Sequence, residues 1–191
     1  MRTLMTVLAF VAATAAGAVE MGDDGLHKAD WMRDTFKDLQ EDFAEAEAEG
    51  KRLLVLVEQR GCLYCRDMHE KTFVDPRVEE YIEDNYFVVQ MNLHGATEMS
   101  DTDGEALSER EAARKWGVLF TPTMMFLPTD LDETESAAAQ AVALMPGYFS
   151  AGTTLDLLTW VNEERYLDQS EEDFQRYHAR MIRERDDGDT R

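Results

Sequence analysis

Gly61-Cys62-Leu63-Tyr64-Cys65-Arg66 contains both cysteines of the chain and stands between a continuous apolar run, Leu53 to Val57, and a helical pattern. Two thiols three positions apart at a strand-to-helix turn can close a disulfide and open it again. The nucleophile in such chemistry is the thiolate. A cysteine at a helix N-terminus is eased toward that state, from about 8.5 into the range of about 3.5 to 7.5, by unpaired amides and the helix dipole. Cys62 occupies that position. Cys65, one turn further in, gains less and keeps its proton longer, so Cys62 is expected to attack and Cys65 to resolve. Arg66 and His69 add positive charge nearby.

The same pair can be read as a structural disulfide or as half of a zinc site. Zinc takes about four ligands, and the chain has no second cysteine pair, while His27, His69, His94 and His178 are scattered. A zinc site is therefore not expected. A soft-metal site is the alternative from a different class of function, because Cys62, Cys65, Met68 and His69 are donors that suit Cu(I). Redox exchange leads over copper binding and delivery because the pair stands at a strand-helix junction.

Residues Met1 to Ala18 read as a secretory signal: Arg2, an almost wholly small or apolar stretch from Leu4 to Ala16, and Ala16-Gly17-Ala18 as a cleavage site. The apolar run is shorter than the roughly 20 residues of a membrane span. Export with cleavage near Ala18 is expected, and a soluble mature chain without stable membrane insertion. The remaining residues amount to one domain. Asp and Glu number 40 against 19 Lys and Arg, a formal net charge of −21, which repels nucleic acid and anionic headgroups. Solubility, a saline habitat or electrostatic choice of partner would each account for that surface.

A flexible mature N-terminus is expected over 19–29, one domain over 30–185 and a frayed tail over 186–191. Trp31, Phe36, Leu39 and Phe43 suggest a helix from Asp30 to a cap at Gly50. Leu53–Val57 suits a central strand buried on both faces. Asp75-Pro76 opens a second helix, Tyr86–Leu93 is a strand, and a polar loop from His94 to Leu107 carries Glu98, Asp101, Asp103 and Glu105. Ser108 and Glu111 form a capping box for a helix to Trp116. Met124–Leu127 is a third strand, with Pro122 at its entrance as an edge position or a cis-proline in a tight turn. An acidic, alanine-rich excursion over 128–140, an edge strand from Val142 to Tyr148 and two final helices complete the chain.

This order resembles the thioredoxin fold, an α/β architecture with a central mixed sheet of about four strands flanked by helices, here with extra N- and C-terminal helices. The resemblance rests on Cys62-Leu63-Tyr64-Cys65 after a buried strand, on Trp116-Gly117-Val118 followed by Thr121-Pro122-Thr123, and on Pro146-Gly147-Tyr148. In that family the proline is cis and lies against the active-site sulfurs. The resemblance therefore implies a substrate groove formed by Leu63, Tyr64, Thr121 and Pro122, and redox cysteines that need no bound cofactor or metal. Glu58 to Cys65 and Met68-His69-Glu70 are further similar to periplasmic thioredoxins of the SoxW type, which are associated with sulfur (thiosulfate) oxidation. That similarity implies a periplasmic reductase of protein disulfides, fed by a membrane thiol carrier. A disulfide oxidant or isomerase is the alternative in the same class, since Tyr64 before the resolving cysteine recurs there.

Departures from a general thioredoxin are Gly61 in place of the usual Trp and Leu63-Tyr64 in place of Gly-Pro. The usual buried acid six residues before the first cysteine is Leu56. Glu58 lies on the same strand face and would take the proton of Cys65, or else be a solvated strand end.

Overall fold

A computed structural model describes residues 20–170 and 172–189. The expected export signal and the last two residues lie outside the described residues. The segment expected as a flexible lead-in is instead an antiparallel hairpin of β1 (Glu20–Met21) and β2 (His27–Lys28). Its turn is closed by the Asp24 carboxylate, which accepts from the Leu26 N–H at 3.0 Å and from Lys28 Nζ at 2.8 Å. Leu26 is buried beneath it.

The helix expected from Asp30 begins only at Leu39. Trp31 is buried and packs edge-on against Phe73, next to a short strand, β3 (Met32–Arg33). Two features stop a helix here. Phe36 is 93% exposed, so its spacing from Trp31 is not an apolar repeat. Lys37 adopts φ 59°, a left-handed conformation that no helix interior accepts. Asp38 then caps α1 (Leu39–Ala48) by accepting from the Gln40 and Glu41 amides.

β4 (Arg52–Glu58) is buried at every residue because it is central. After it come α2 (Leu63–Asp67), which continues as a π-helical turn over Met68–Thr72, then α3 (Pro76–Asn85) and β5 (Tyr86–Asn92). The region expected as a polar loop contains a second hairpin, β6 (Glu98–Ser100) and β7 (Ala106–Ser108). It leads into α4 (Glu109–Lys115), β8 (Thr123–Phe126), α5 (Ala137–Gln140), β9 (Ala143–Pro146), α6 (Ala151–Asn162) and α7 (Phe174–Asp189).

The main sheet has five strands in the order β3-β5-β4-β8-β9, with β3, β5 and β4 parallel and β8 and β9 antiparallel. β3 is the strand beyond the expected four; its two residues are too few for a periodicity to register. Alternation along β4 divides the core. Leu54 and Leu56 meet Met68, Phe73, Ile82 and Trp160 on one face, and Leu53, Val55 and Val57 meet Leu39, Phe87 and Trp116 on the other. Each such side chain contributes about 1.5 to 3 kcal/mol on burial. The extra C-terminal helix α7 is tied to α6 through Asp156, which accepts from Arg185 at 2.7 and 2.9 Å and faces His178 Nδ1 at 2.5 Å. Among the described residues no helix is long and apolar enough to cross a membrane.

Asp42 lies on the buried side of α1, 3% exposed, and receives the Thr35 hydroxyl at 3.2 Å. Burial pushes its carboxyl up to about 6 against that hydrogen bond, with Glu45, Asp38 and Glu41 adding to the rise. The folded state thus holds this proton more tightly than the unfolded chain, so the associated stability is present at low pH and lost as pH rises through about 6. Asp42→Asn should therefore stabilise the protein by about 1 kcal/mol at pH near 8, allowing for residual solvation, and hardly at all near pH 4. Paired chemical denaturation curves at the two pH values check this.

Candidate active site

The site begins with the end of β4. Gly61 takes φ 73°, a conformation open to glycine without strain, and turns the chain so that Cys62 becomes the N-cap of α2. Cys62 and Cys65 are joined as a disulfide, with their Cα atoms 5.2 Å apart. Cys62 is 8% exposed and Cys65 1%, so an incoming molecule meets Cys62.

Two donors converge on the Cys62 sulfur. The Cys65 N–H points at Sγ from 2.9 Å and the Thr121 hydroxyl from 3.3 Å. Both would stabilise negative charge on that atom once the disulfide is opened. Thr121 reaches it because the loop before β8 passes beside the start of α2, where the Thr121–Pro122 peptide bond is cis. Gly147 N–H donates to the Pro122 carbonyl at 2.7 Å and fastens this loop to the end of β9. Around the sulfurs the surface is apolar: Leu63 and Tyr64, on the first turn of α2, and Leu119 and Phe120, just before Thr121, are all more than 60% exposed.

Glu58 is fully buried, which removes the reading of a solvated strand end. Both of its carboxylate oxygens lie 3.2 Å from His69 Nε2, and Oε2 also accepts from Gln90 Nε2 at 2.6 Å. His69 lies four residues after the buried Cys65, one helical turn on and on the same face, and the segment closes there in a π-helical turn, with the Phe73 N–H bonded to the Met68 carbonyl five residues back and Met68, His69 and Thr72 all buried. Arg66, by contrast, stays at the surface, where Asp67 and Glu70 balance its charge at 3.2 and 3.6 Å.

The donors named for a soft-metal site are engaged otherwise, the two cysteines with each other as a disulfide. The Met68 thioether accepts from the Phe149 N–H at 3.4 Å, and His69 is engaged by Glu58. Among the described residues no group of three or more His, Cys, Asp or Glu side chains is arranged to hold an ion. Sequence reasoning missed Gln90 and His27. Gln90 was the one polar residue inside the apolar run of β5, and that was the available signal.

A reversible cysteine pair at a helix start, beside a proline loop and on a mixed sheet, defines a thiol-disulfide oxidoreductase. Residues 39–161 match the family described as Thioredoxin-like domain, and the chain belongs to that family. A thioredoxin-fold protein from Helicobacter pylori is similar in structure, with a TM-score of 0.54 and 18% identity over 78% of this chain and 98% of its own. A thioredoxin from Thermus thermophilus follows, with a TM-score of 0.49 and 23% identity over 65% of this chain and 84% of its own. The reduced C-terminal domain of DsbD from Neisseria meningitidis has a TM-score of 0.44 and 12% identity over 63% of this chain and 91% of its own. No curated protein matches the sequence.

Proposed function

We propose that the protein is an exported reductase of protein disulfides, working in the periplasm on partners of a sulfur-oxidation system of the SoxW type and recharged by a membrane thiol carrier. The observation that carries thiol-disulfide exchange by Cys62 is the pair of donors aimed at its sulfur, since they favour its thiolate, while the reductive direction rests on the likeness of Glu58 to Glu70 to the SoxW-type thioredoxins. The export and sulfur-oxidation parts rest on the amino-terminal residues and on the likeness of Glu58 to Glu70 to that subfamily.

In the reduced protein the Cys62 thiolate attacks one sulfur of a substrate disulfide. A mixed disulfide forms and the first substrate thiolate leaves. Cys65 then gives up its proton and attacks the Cys62 sulfur, which breaks the mixed bond and expels the second thiolate. Two electrons pass from the cysteine pair to the substrate, and the two departing thiolates take up protons from water. Leu63, Tyr64, Leu119 and Phe120 give the substrate segment an apolar bed.

The test is covalent capture. Cys65→Ser, expressed in a host that oxidises thiosulfate and purified without reductant, should carry periplasmic partners on Cys62. Mass spectrometry of the adducts should find sulfur-oxidation proteins among them. Adducts drawn only from cytoplasmic proteins would overturn the compartment, and adducts dominated by newly secreted thiol proteins would favour a disulfide oxidant.

A further inference from the structure

The mechanism asks the proton of Cys65 to leave a sulfur that is 1% exposed. Four residues on, His69 is 2% exposed and Glu58 beside it 0%, so neither exchanges protons with water directly. A third titratable side chain lies beside this closed pair and nearer the surface. His27, on the hairpin strand β2, packs its ring 5.2 Å from that of His69, and the residue is only partly buried.

The hairpin is held there by direct bonds. Gln90 Nε2 donates both to Glu58 Oε2 at 2.6 Å and to the His27 carbonyl at 2.7 Å, while Lys28 Nζ donates to Gln90 Oε1 at 2.6 Å. A Cβ on Gly25 would lie 2.4 Å from the Arg60 side chain, so the hairpin turn sits against the loop that leads to Cys62. His27 Nδ1 is buried without a hydrogen-bond partner. Residues 20–28 also lie outside the matched family segment, so this contact is an addition to the fold.

Resting on the reductase reading, we infer that His27 is the outlet of a buried proton relay, Glu58 to His69 to His27, which carries the Cys65 proton to water during the resolving step. Cys65 loses its proton to the Glu58–His69 pair as its sulfur bonds to Cys62. The pair then passes a proton to His27, and His27 releases it to solvent. Burial first, and then His69 and Arg66, hold the His27 imidazole below the ordinary histidine range, against Glu58 and Glu70, which raise it, so the ring is neutral before the transfer and readily gives up to solvent a proton passed to it. The other groups around it are Arg60, Gln90, Lys28 and Asp24. His27 is a positioning and proton-transfer residue and touches neither sulfur nor substrate.

Single-turnover reduction of a symmetrical chromogenic aryl disulfide separates the steps, since attack by Cys62 and resolution by Cys65 each release one coloured thiolate. In His27→Phe, which keeps a ring against His69, the rate of the second release relative to the first should fall about tenfold. The pH dependence of the second release should change as well. In His27→Ala the second release should also slow and should recover with added imidazole. An unchanged ratio in both variants overturns the relay, and so does equal slowing of both releases without imidazole rescue. If the wild-type protein releases no thiolate at all, the reductase reading falls and takes the relay with it.

Discussion

Cys62→Ser is expected to abolish disulfide reduction, lowering turnover of insulin disulfides by at least about a thousandfold, and Cys65→Ser is expected to complete the first attack and then stall. The asymmetry follows from what surrounds each sulfur. Cys62 caps α2, receives the Cys65 amide and the Thr121 hydroxyl, and is the sulfur in reach of a substrate. Removing it removes the nucleophile. Cys65 lies beneath it and gains from its position only intramolecular access to the Cys62 sulfur. With serine there, the mixed disulfide has no internal thiol to break it. Quench-flow sampling under non-reducing conditions should show a covalent adduct accumulating for Cys65→Ser and none for Cys62→Ser. Accumulation in the opposite variant would reverse the roles.

Asp101→Ala should cost about 3 to 5 kcal/mol of stability, by the mechanism of leaving buried donors without an acceptor. The Asp101 carboxylate is completely buried. It accepts from the Thr102 and Ala137 amides at 2.8 and 2.9 Å and from the Trp116 indole at 2.9 Å, and it meets Lys115 Nζ at 2.8 Å. It therefore joins the β6-β7 hairpin, α4 and α5 at one point. Lys115 also meets Asp103 at 2.6 Å and Glu105 at 2.8 Å. Burial draws its ammonium down, but the hydrogen bonds it donates to the three carboxylates outweigh that and hold it above the ordinary lysine range. Asp101→Asn, which retains one acceptor oxygen but turns an amide toward Lys115, should fall between wild type and alanine. Urea unfolding of the three proteins gives the ranking, and an alanine variant within about 0.5 kcal/mol of wild type would refute the clamp.

Those acidic residues also mark where sequence reading stops. Asp101, Asp103 and Glu105 look like a solvated loop because a one-dimensional pattern cannot show that Lys115 returns to them across a helix. The central strand was legible, since a strand buried on both faces leaves a continuous apolar run. So were the cysteine pair, the Thr-Pro entrance to β8 and the mixed sheet, because each is a local pattern at a fixed place in the order of elements. The hairpin of β1 and β2 and the edge strand β3 were not. Their strands are two residues long, and what holds them is tertiary: Leu26 in the core, Trp31 against Phe73, Gln90 reaching from β5. Glu58 was legible as a candidate acid from strand alternation. Its partner was not, because the meeting of His69 with Glu58 is a contact between a helix and a strand that spacing along the chain does not show. Met68, which the sequence offers as a metal donor, receives the Phe149 amide instead.

The local structure makes Cys62, and not Cys65, the reactive thiolate. The most direct measurement is the rate of alkylation of each cysteine in the reduced protein as a function of pH, read site by site by mass spectrometry. Cys62 should alkylate with a midpoint well below the ordinary thiol value of about 8.5, while Cys65 stays protected across the same range. Equal rates at the two cysteines, or a Cys62 midpoint at or above about 8.5, would contradict it.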